Sequence, residues 1–228
     1  MTQLLISVTS VAEAQIALEN GADIIDLKNP SAGALGALPF AQIQAIADYV
    51  HNLHIPCRKP VSATIGDVPM QPQLVYDCVA KLTNTKVDFI KIGFFEADDY
   101  QPCLDALQNI TQTGVKLVAV LFAEHHYPDD FIDAIKNAGF SGVMLDTAKK
   151  NGLSLMDHYS GEQCKNFAER VLKLDLTLGL AGSLKIQHVA LAKQVNPTYV
   201  GFRGGVCDEG QRVLSLNADK LQAIRKVL

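Results

Sequence analysis

Three lysines and two aspartates stand where short apolar runs of this chain end. The run Asp23-Ile24-Ile25-Asp26-Leu27-Lys28 closes on an amine, then passes into Asn29-Pro30 and a loop carrying Gly33 and Gly36. A lysine prefers its ammonium in water, so one that closes a buried strand is conspicuous. Partial desolvation of Lys28 would lower its pKa and leave some of the amine neutral and nucleophilic, the chemistry of a Schiff-base lysine. The plainer alternative is a side chain that snorkels to the rim. Asp26, two residues earlier, would share the face of Lys28.

Lys91 lies inside Asp88-Phe89-Ile90-Lys91-Ile92-Gly93. Alternate strand residues face opposite sides, which groups Lys91 with Phe89 and Gly93, away from Ile90 and Ile92. A lysine on the inner face of a sheet needs a partner or a function. The partner reading is an ion pair with Asp26 or Asp146. The functional reading is a second amine that lowers the pKa of the first and moves a proton. Asp146 ends another apolar run and offers acid–base chemistry, with Lys150 one turn on as a phosphate ligand or a solvated loop residue. Ser62, Thr64 and Asp67 end a further run.

Two late loops suggest an anion. Gly182-Ser183 before a helical stretch would expose backbone N–H groups, and Arg203-Gly204-Gly205 would let backbone approach a ligand closely. A phosphorylated substrate held at Gly182, Ser183, Gly204 and Gly205, with Arg203 or Lys150 supplying charge, fits that order. His125 and His126 are adjacent, so their side chains diverge, and no H-x-x-x-H accompanies them. They are taken as loop residues, and no metal is expected.

These residues need a scaffold that gathers strand ends. Strands are expected at 4–8, 23–28, 61–64, 88–93, 116–122, 142–145, 176–181 and 199–202. Helices are expected at 11–20, 40–53, 74–82, 103–112, 130–138, 161–172, 186–194 and 217–227, the last opened by Asn217 as N-cap. About eight strand–helix units without a linker between them predict a single TIM (β/α)8 barrel over residues 1–228. In that fold the C-terminal strand ends form the active-site face. The rival, a doubly wound open sheet, lacks its early G-x-G-x-x-G.

A composition with 48% hydrophobic residues is that of a compact globular protein. The net charge of −4 provides no electrostatic case for nucleic acid or an anionic membrane. Cys57, Cys78, Cys103, Cys164 and Cys207 form no CxxC pair and read as reduced thiols. With no signal peptide or membrane-length apolar run at hand, a cytoplasmic protein is expected. A homo-oligomer is expected as well.

The quoted blocks also form a pattern. Asp26-Leu27-Lys28-Asn29-Pro30 with Gly33-Ala34-Leu35-Gly36, Val61-Ser62-Ala63-Thr64-Ile65-Gly66-Asp67, Ile90-Lys91-Ile92-Gly93, Asp146-Thr147-Ala148-Lys149-Lys150, Ala181-Gly182-Ser183 and Phe202-Arg203-Gly204-Gly205 occur in this order over nearly the whole chain. Together they resemble the (5-formylfuran-3-yl)methyl phosphate synthase family. The resemblance implies a TIM barrel that joins two molecules of glyceraldehyde 3-phosphate into a phosphorylated furan aldehyde, a precursor of methanofuran-type carriers, with loss of phosphate and water. It implies Lys28 as the Schiff-base lysine, Lys91 as proton donor, and Asp26, Asp146 and Lys150 as site residues. An enamine formed at Lys28 would then attack the aldehyde of the second triose phosphate, and no cofactor is needed. From about 122 to 130 the chain departs from the family pattern, so no role passes to His125 or His126.

Two other functions use the same residues. A lysine-dependent aldolase acting on another phosphorylated sugar would yield a stable linear product. A sugar-phosphate-binding barrel without catalysis would bind but form no covalent adduct.

Overall fold

The computed structural model describes residues 1–53 and 58–228. Eight parallel strands close on themselves in chain order: β1 Gln3–Val8, β2 Ile24–Leu27, β3 Val61–Thr64, β4 Phe89–Gly93, β5 Leu117–Phe122, β6 Gly142–Asp146, β7 Thr177–Leu180 and β8 Tyr199–Phe202. β8 returns to pair with β1, with Leu4 opposite Val200, so the barrel has no free edge. The expected (β/α)8 barrel is the fold.

Helices α1 Val11–Glu19, α2 Phe40–Asn52, α3 Pro72–Thr83, α4 Gln101–Thr111 and α5 Phe131–Asn137 follow the first five strands. After β6 come α6 Leu155–His158 and α7 Gly161–Lys173. After β7 come a 3₁₀ turn, Ile186–His188, and α8 Val189–Lys193. After β8 come two 3₁₀ turns, Gly204–Val206 and Asp208–Gly210, and then α9 Ala218–Val227. Asn217 caps α9, its side chain accepting the Lys220 N–H at 3.1 Å.

Strand parity divides the core in two. Ile25, Leu27, Ile90, Ile92, Val143 and Leu145 point outward and pack under the helices in one large cluster. Leu5, Ile24, Val118, Val120, Phe122 and Met144 point inward and form a second. The same inward parity carries Ser7, Asp26, Ser62, Lys91 and Asp146, so the polar residues replace one layer of lumen packing.

The mouth is filled unevenly. On the β4–β5 side Leu35, from the loop after β2, is buried beside Phe95 and Phe122, and a Cβ at Gly93 would meet Leu35 Cδ1 at 2.6 Å. On the other side the inward residues are small: Ser7, Gly179, Ala181 and Gly201. That asymmetry leaves open space over β1, β7 and β8.

Two local features differ from expectation. The extra helix α6 rests on a capping box, in which Asp157 accepts from the Ser154 backbone N–H at 2.7 Å and hydroxyl at 2.6 Å. The single helix expected over 186–194 is instead a 3₁₀ turn followed by the short α8. No Ser, Thr or Asp caps its start; the His188 ring Nδ1 accepts the Lys185 N–H at 3.2 Å in that role. Cys78, Cys103, Cys164 and Cys207 are free thiols, whereas Cys57 lies outside the described residues. Among the described residues no helix is long and apolar enough to cross a membrane.

Candidate active site

A cavity of about 390 Å³ opens at the C-terminal end of the strands. Its floor is made by Asp26, Lys28, Lys91 and Asp146, and its rim by the loops after β6, β7 and β8. Lys28 and Lys91 both face it and neither points to the helices.

Lys91 is only 2% exposed, and its Nζ lies 2.6 Å from Asp26 Oδ1. The Asp26 carboxylate is further held by two hydroxyls: Ser7 donates to Oδ2 at 2.8 Å and Ser62 to Oδ1 at 2.7 Å. Burial alone would raise the Asp26 pKa; Lys91 and then Lys28 reverse this and hold it below the ordinary carboxylate value. Ser62 therefore serves the site by orienting Asp26. Register explains the meeting: Asp26 stands beside both Ser7 and Ser62, and Lys91 beside Thr64 one step higher.

Asp146 is the second anchor. Lys150 folds back over one turn, its Nζ 3.1 Å from Asp146 Oδ1 and 2.7 Å from the Thr147 carbonyl. Glu124 holds this turn in place by accepting the backbone N–H groups of Ala148 and Lys149, both at 2.9 Å. Asp146 Oδ2 faces Lys28 Nζ at the longer distance of 3.7 Å. Burial pushes the Asp146 carboxyl up, but Lys150, Lys28 and the Thr147 N–H hold it well below its ordinary value.

Lys28 is the least satisfied of the three amines. It is 7% exposed, and burial lowers its pKa from 10.5 to about 8. Asp146 opposes that shift, while Lys150 and Lys91 reinforce it. A buried amine with a long ion pair, flanked by two cations, is equipped to attack a carbonyl carbon.

The residues expected to bind an anion divide into two groups. Gly182, Ser183, Gly204 and Gly205 line the cavity. Gly204 and Gly205 open a 3₁₀ turn, where the first N–H groups have no partner within the turn. Ser183 has φ +51°, in the left-handed region that non-glycine residues seldom adopt. No helix begins at Ser183, however, so the expected dipole behind it is absent. The closest backbone approach of Gly205 is also to protein, since a Cβ there would collide with the Leu184 carbonyl oxygen.

Arg203 and Asp67 are engaged elsewhere. The Arg203 guanidinium donates to both oxygens of Glu13, at 2.6 and 3.0 Å. It also donates to the carbonyls of Ser7, Arg212 and Leu214 at 3.1, 2.8 and 3.0 Å, so it braces loops instead of offering charge to the cavity. Asp67 accepts the N–H groups of Ala34 and Leu35 at 2.8 and 2.7 Å, which pins the loop after β2 and seats Leu35. His125 packs edge-on against Phe122, with ring centroids 5.4 Å apart. Among the described residues no group of three or more His, Cys, Asp or Glu side chains is placed to hold a metal ion.

Four contributors carried no sequence signal strong enough to single them out: Ser7, Thr147, Arg212 and the bracing role of Glu13. Ser7 was detectable in principle, because its parity on β1 places it inward.

Amines paired with carboxylates around an open cavity at the strand C-termini define a TIM-barrel enzyme. The fold is shared with phosphoribosyl anthranilate isomerase of Thermus thermophilus, at TM-score 0.68 and 15% identity over 99% of this chain and 98% of that one. It is shared equally with 3-hexulose-6-phosphate synthase of Salmonella typhimurium, at TM-score 0.65 and 16% identity over 100% and 98%. Within that class the chain belongs to the 4-HFC-P synthase family, whose model matches residues 4–225. Relatives named (5-formylfuran-3-yl)methyl phosphate synthase include that of Methanococcus maripaludis strain C6, 38% identical and covering 92% of this chain and 91% of its own length. The synthase of Methanocaldococcus jannaschii is 34% identical, with 92% of each chain covered. That of Methanothermobacter thermautotrophicus is 31% identical over 99% and 98%.

Proposed function

We propose that this chain condenses two molecules of glyceraldehyde 3-phosphate to (5-formylfuran-3-yl)methyl phosphate, through a Schiff base on Lys28, in the biosynthesis of a methanofuran-type carrier. The observation that carries the reading is Lys28 itself: a nearly buried amine, 3.7 Å from its carboxylate and lowered to about 8. Family membership supports the product.

The steps balance without a cofactor. The neutral Lys28 amine adds to the aldehyde of one triose phosphate, and water leaves as the iminium forms. The iminium acidifies the adjacent C–H, and loss of that proton gives an enamine. The enamine electron pair expels the phosphate on the neighbouring carbon and leaves an unsaturated iminium, whose terminal carbon takes the new carbon–carbon bond from C2 of the second triose phosphate as that carbon loses its proton beside the aldehyde. Ring closure, dehydration and hydrolysis of the imine release the furan aldehyde and restore the amine. Two triose phosphates thus become one furan phosphate, one phosphate and two waters, which makes the enzyme a carbon–oxygen lyase.

The two ion pairs supply the proton traffic in this reading. Lys91 with Asp26 lies on one side of Lys28, and Lys150 with Asp146 on the other. In each pair the lysine can give a proton or the carboxylate take one, and the neighbouring hydroxyls, N–H groups and amines stabilise the charge that remains. The amides at Gly182-Ser183 and Gly204-Gly205 hold one phosphate.

Incubation with glyceraldehyde 3-phosphate alone tests the reaction. The expected result is a furan-aldehyde absorbance, its mass, and released phosphate; a linear sugar phosphate instead would point to an ordinary aldolase. Lys28→Arg keeps the positive charge but cannot form an imine, so it should abolish both the product and the borohydride-reduced adduct while the chain still folds. Product formation by Lys28→Arg would refute the covalent route.

A further inference from the structure

Cations on the cavity wall are mostly engaged. Lys91 is held by Asp26, Lys150 by Asp146 and Thr147, and Arg203 by Glu13 and three carbonyls. Arg212 differs. It lines the cavity, and among the described residues its guanidinium donates a single hydrogen bond, at 2.7 Å to the Gly33 carbonyl, leaving most of its donors open.

The segment that carries Arg212 is built to present it. Between β8 and α9 the chain makes an excursion stitched at its base by the Cys207–Leu216 bridge and by the Asp208 N–H bond to Ser215 at 3.0 Å. Its tip is a turn closed by the Leu214 N–H to the Gln211 carbonyl at 3.0 Å, with Arg212 inside it. From below, Arg203 donates to the carbonyls of Arg212 and Leu214 on either side of the tip, and Glu13 holds Arg203 by both oxygens. The arginine then reaches from the β8 side to the loop that follows Lys28. It lines the same cavity as Asp26, Lys28, Lys91 and Asp146, and the carboxylates of Asp146 and Asp67 act against the fall in its pKa that burial brings.

We propose that Arg212 is the specificity-determining residue of this mouth, its planar guanidinium taking a substrate phosphate at the rim, with Glu13 and Arg203 as the positioning pair that aims it. A guanidinium matches phosphate with two parallel N–H bonds. The Gly33 carbonyl is a neutral acceptor, and a dianion readily displaces it. The proposal rests on the reading above in one respect: a reaction of two triose phosphates requires two phosphate subsites, and the glycine-loop amides account for one. Lys185, also on the rim, is exposed, and among the described residues its ammonium makes no ion pair.

The test uses sn-glycerol 3-phosphate, which has the phosphate and no carbonyl, so its binding cannot depend on an imine. Calorimetric titration of the full chain should show glycerol 3-phosphate weakened about 10- to 100-fold by Arg212→Ala and partly restored by Arg212→Lys. Glu13→Gln should weaken binding in the same direction. In the Glu13→Gln background the Arg212→Ala change should cost far less than in the parent chain, because the first residue acts through the second. Unaltered affinity in Arg212→Ala overturns the assignment, as does failure of the parent chain to bind glycerol 3-phosphate at millimolar concentration. Full additivity of the two substitutions overturns the positioning role. A parent chain that binds glycerol 3-phosphate through Arg212 yet makes no furan aldehyde would uphold this proposal and refute the reaction.

Discussion

Asp146→Asn should make Lys28 a nucleophile at lower pH while crippling turnover. Asp146 is the strongest influence keeping the Lys28 proton in place, acting over 3.7 Å against burial and two neighbouring amines. At an effective dielectric of about 20, two unit charges at that separation attract by roughly 4 kcal/mol. One pKa unit corresponds to about 1.4 kcal/mol, and rearrangement of Lys150 absorbs part of the change, so the Lys28 pKa should drop by about 1 to 3 units. From about 8, at pH 7 roughly one amine in ten is neutral, against about one in three thousand for an ordinary lysine near 10.5. The variant should be mostly neutral at pH 7. Reductive trapping with glyceraldehyde 3-phosphate and cyanoborohydride, followed by intact mass from pH 5.5 to 9.5, reads the midpoint apart from the amplitude. The parent midpoint should lie near 8 and that of Asp146→Asn between roughly 5 and 7. Turnover should fall, because in the proposed reaction that carboxylate moves protons. A midpoint that rises or does not move would mean that Asp146 is not what holds the Lys28 charge.

Two stability predictions follow from the same burial. The folded pKa of Lys28 is depressed, so the unfolded chain binds more protons between about pH 8 and 10.5, and folding stability gains there as pH rises. The cost to the fold is fully present below pH 8; a shift of about 2.5 units corresponds to roughly 3 kcal/mol, and Lys28→Met should flatten that rise in denaturant melts. A parent and variant with parallel pH profiles would refute it. Lys91→Met should cost about 3–5 kcal/mol, since it leaves Asp26 buried with two hydroxyls and no directly paired cation. A loss under about 1 kcal/mol in urea melts would show that the pair is not truly desolvated.

The barrel was legible because each strand is short, apolar and followed by an amphipathic stretch. Parity along 88–93 was enough to turn Lys91 inward, because Ile90 and Ile92 leave it no other face. Parity likewise put Asp26 beside Lys28. Loops obey no such period. Arg203 follows a strand end and carries the right charge, yet its direction is decided by Glu13, which is 190 positions away in the chain. Arg212 lies ten residues beyond β8, and only the stitched path of that segment brings it over the floor. Asp67 reads as a ligand group from its place after β3, but it accepts two backbone N–H groups of another loop. The capping box at Ser154 and Asp157 was readable and marks α6; its four-residue helix is too short to leave a periodic trace.

The charges on the floor are the reason Lys28, and not one of its neighbours, is the proposed nucleophile. Three amines share two carboxylates on a largely buried floor, so one positive charge is in excess. The excess is relieved where the proton is held least firmly. Lys91 lies 2.6 Å from its carboxylate, and Lys150 lies 3.1 Å from its own with a carbonyl at 2.7 Å; Lys28 has only the 3.7 Å contact, to an oxygen pair already shared with Lys150. The same count constrains where substrate phosphates can sit. A dianion beside Lys28 would reverse the surplus and return the proton to the amine, silencing it before the imine forms. In the proposed reaction the phosphates would therefore be met at the rim, by loop amides on the β7–β8 side and by the braced guanidinium of Arg212, several bonds away from the carbonyl that would reach down to the floor.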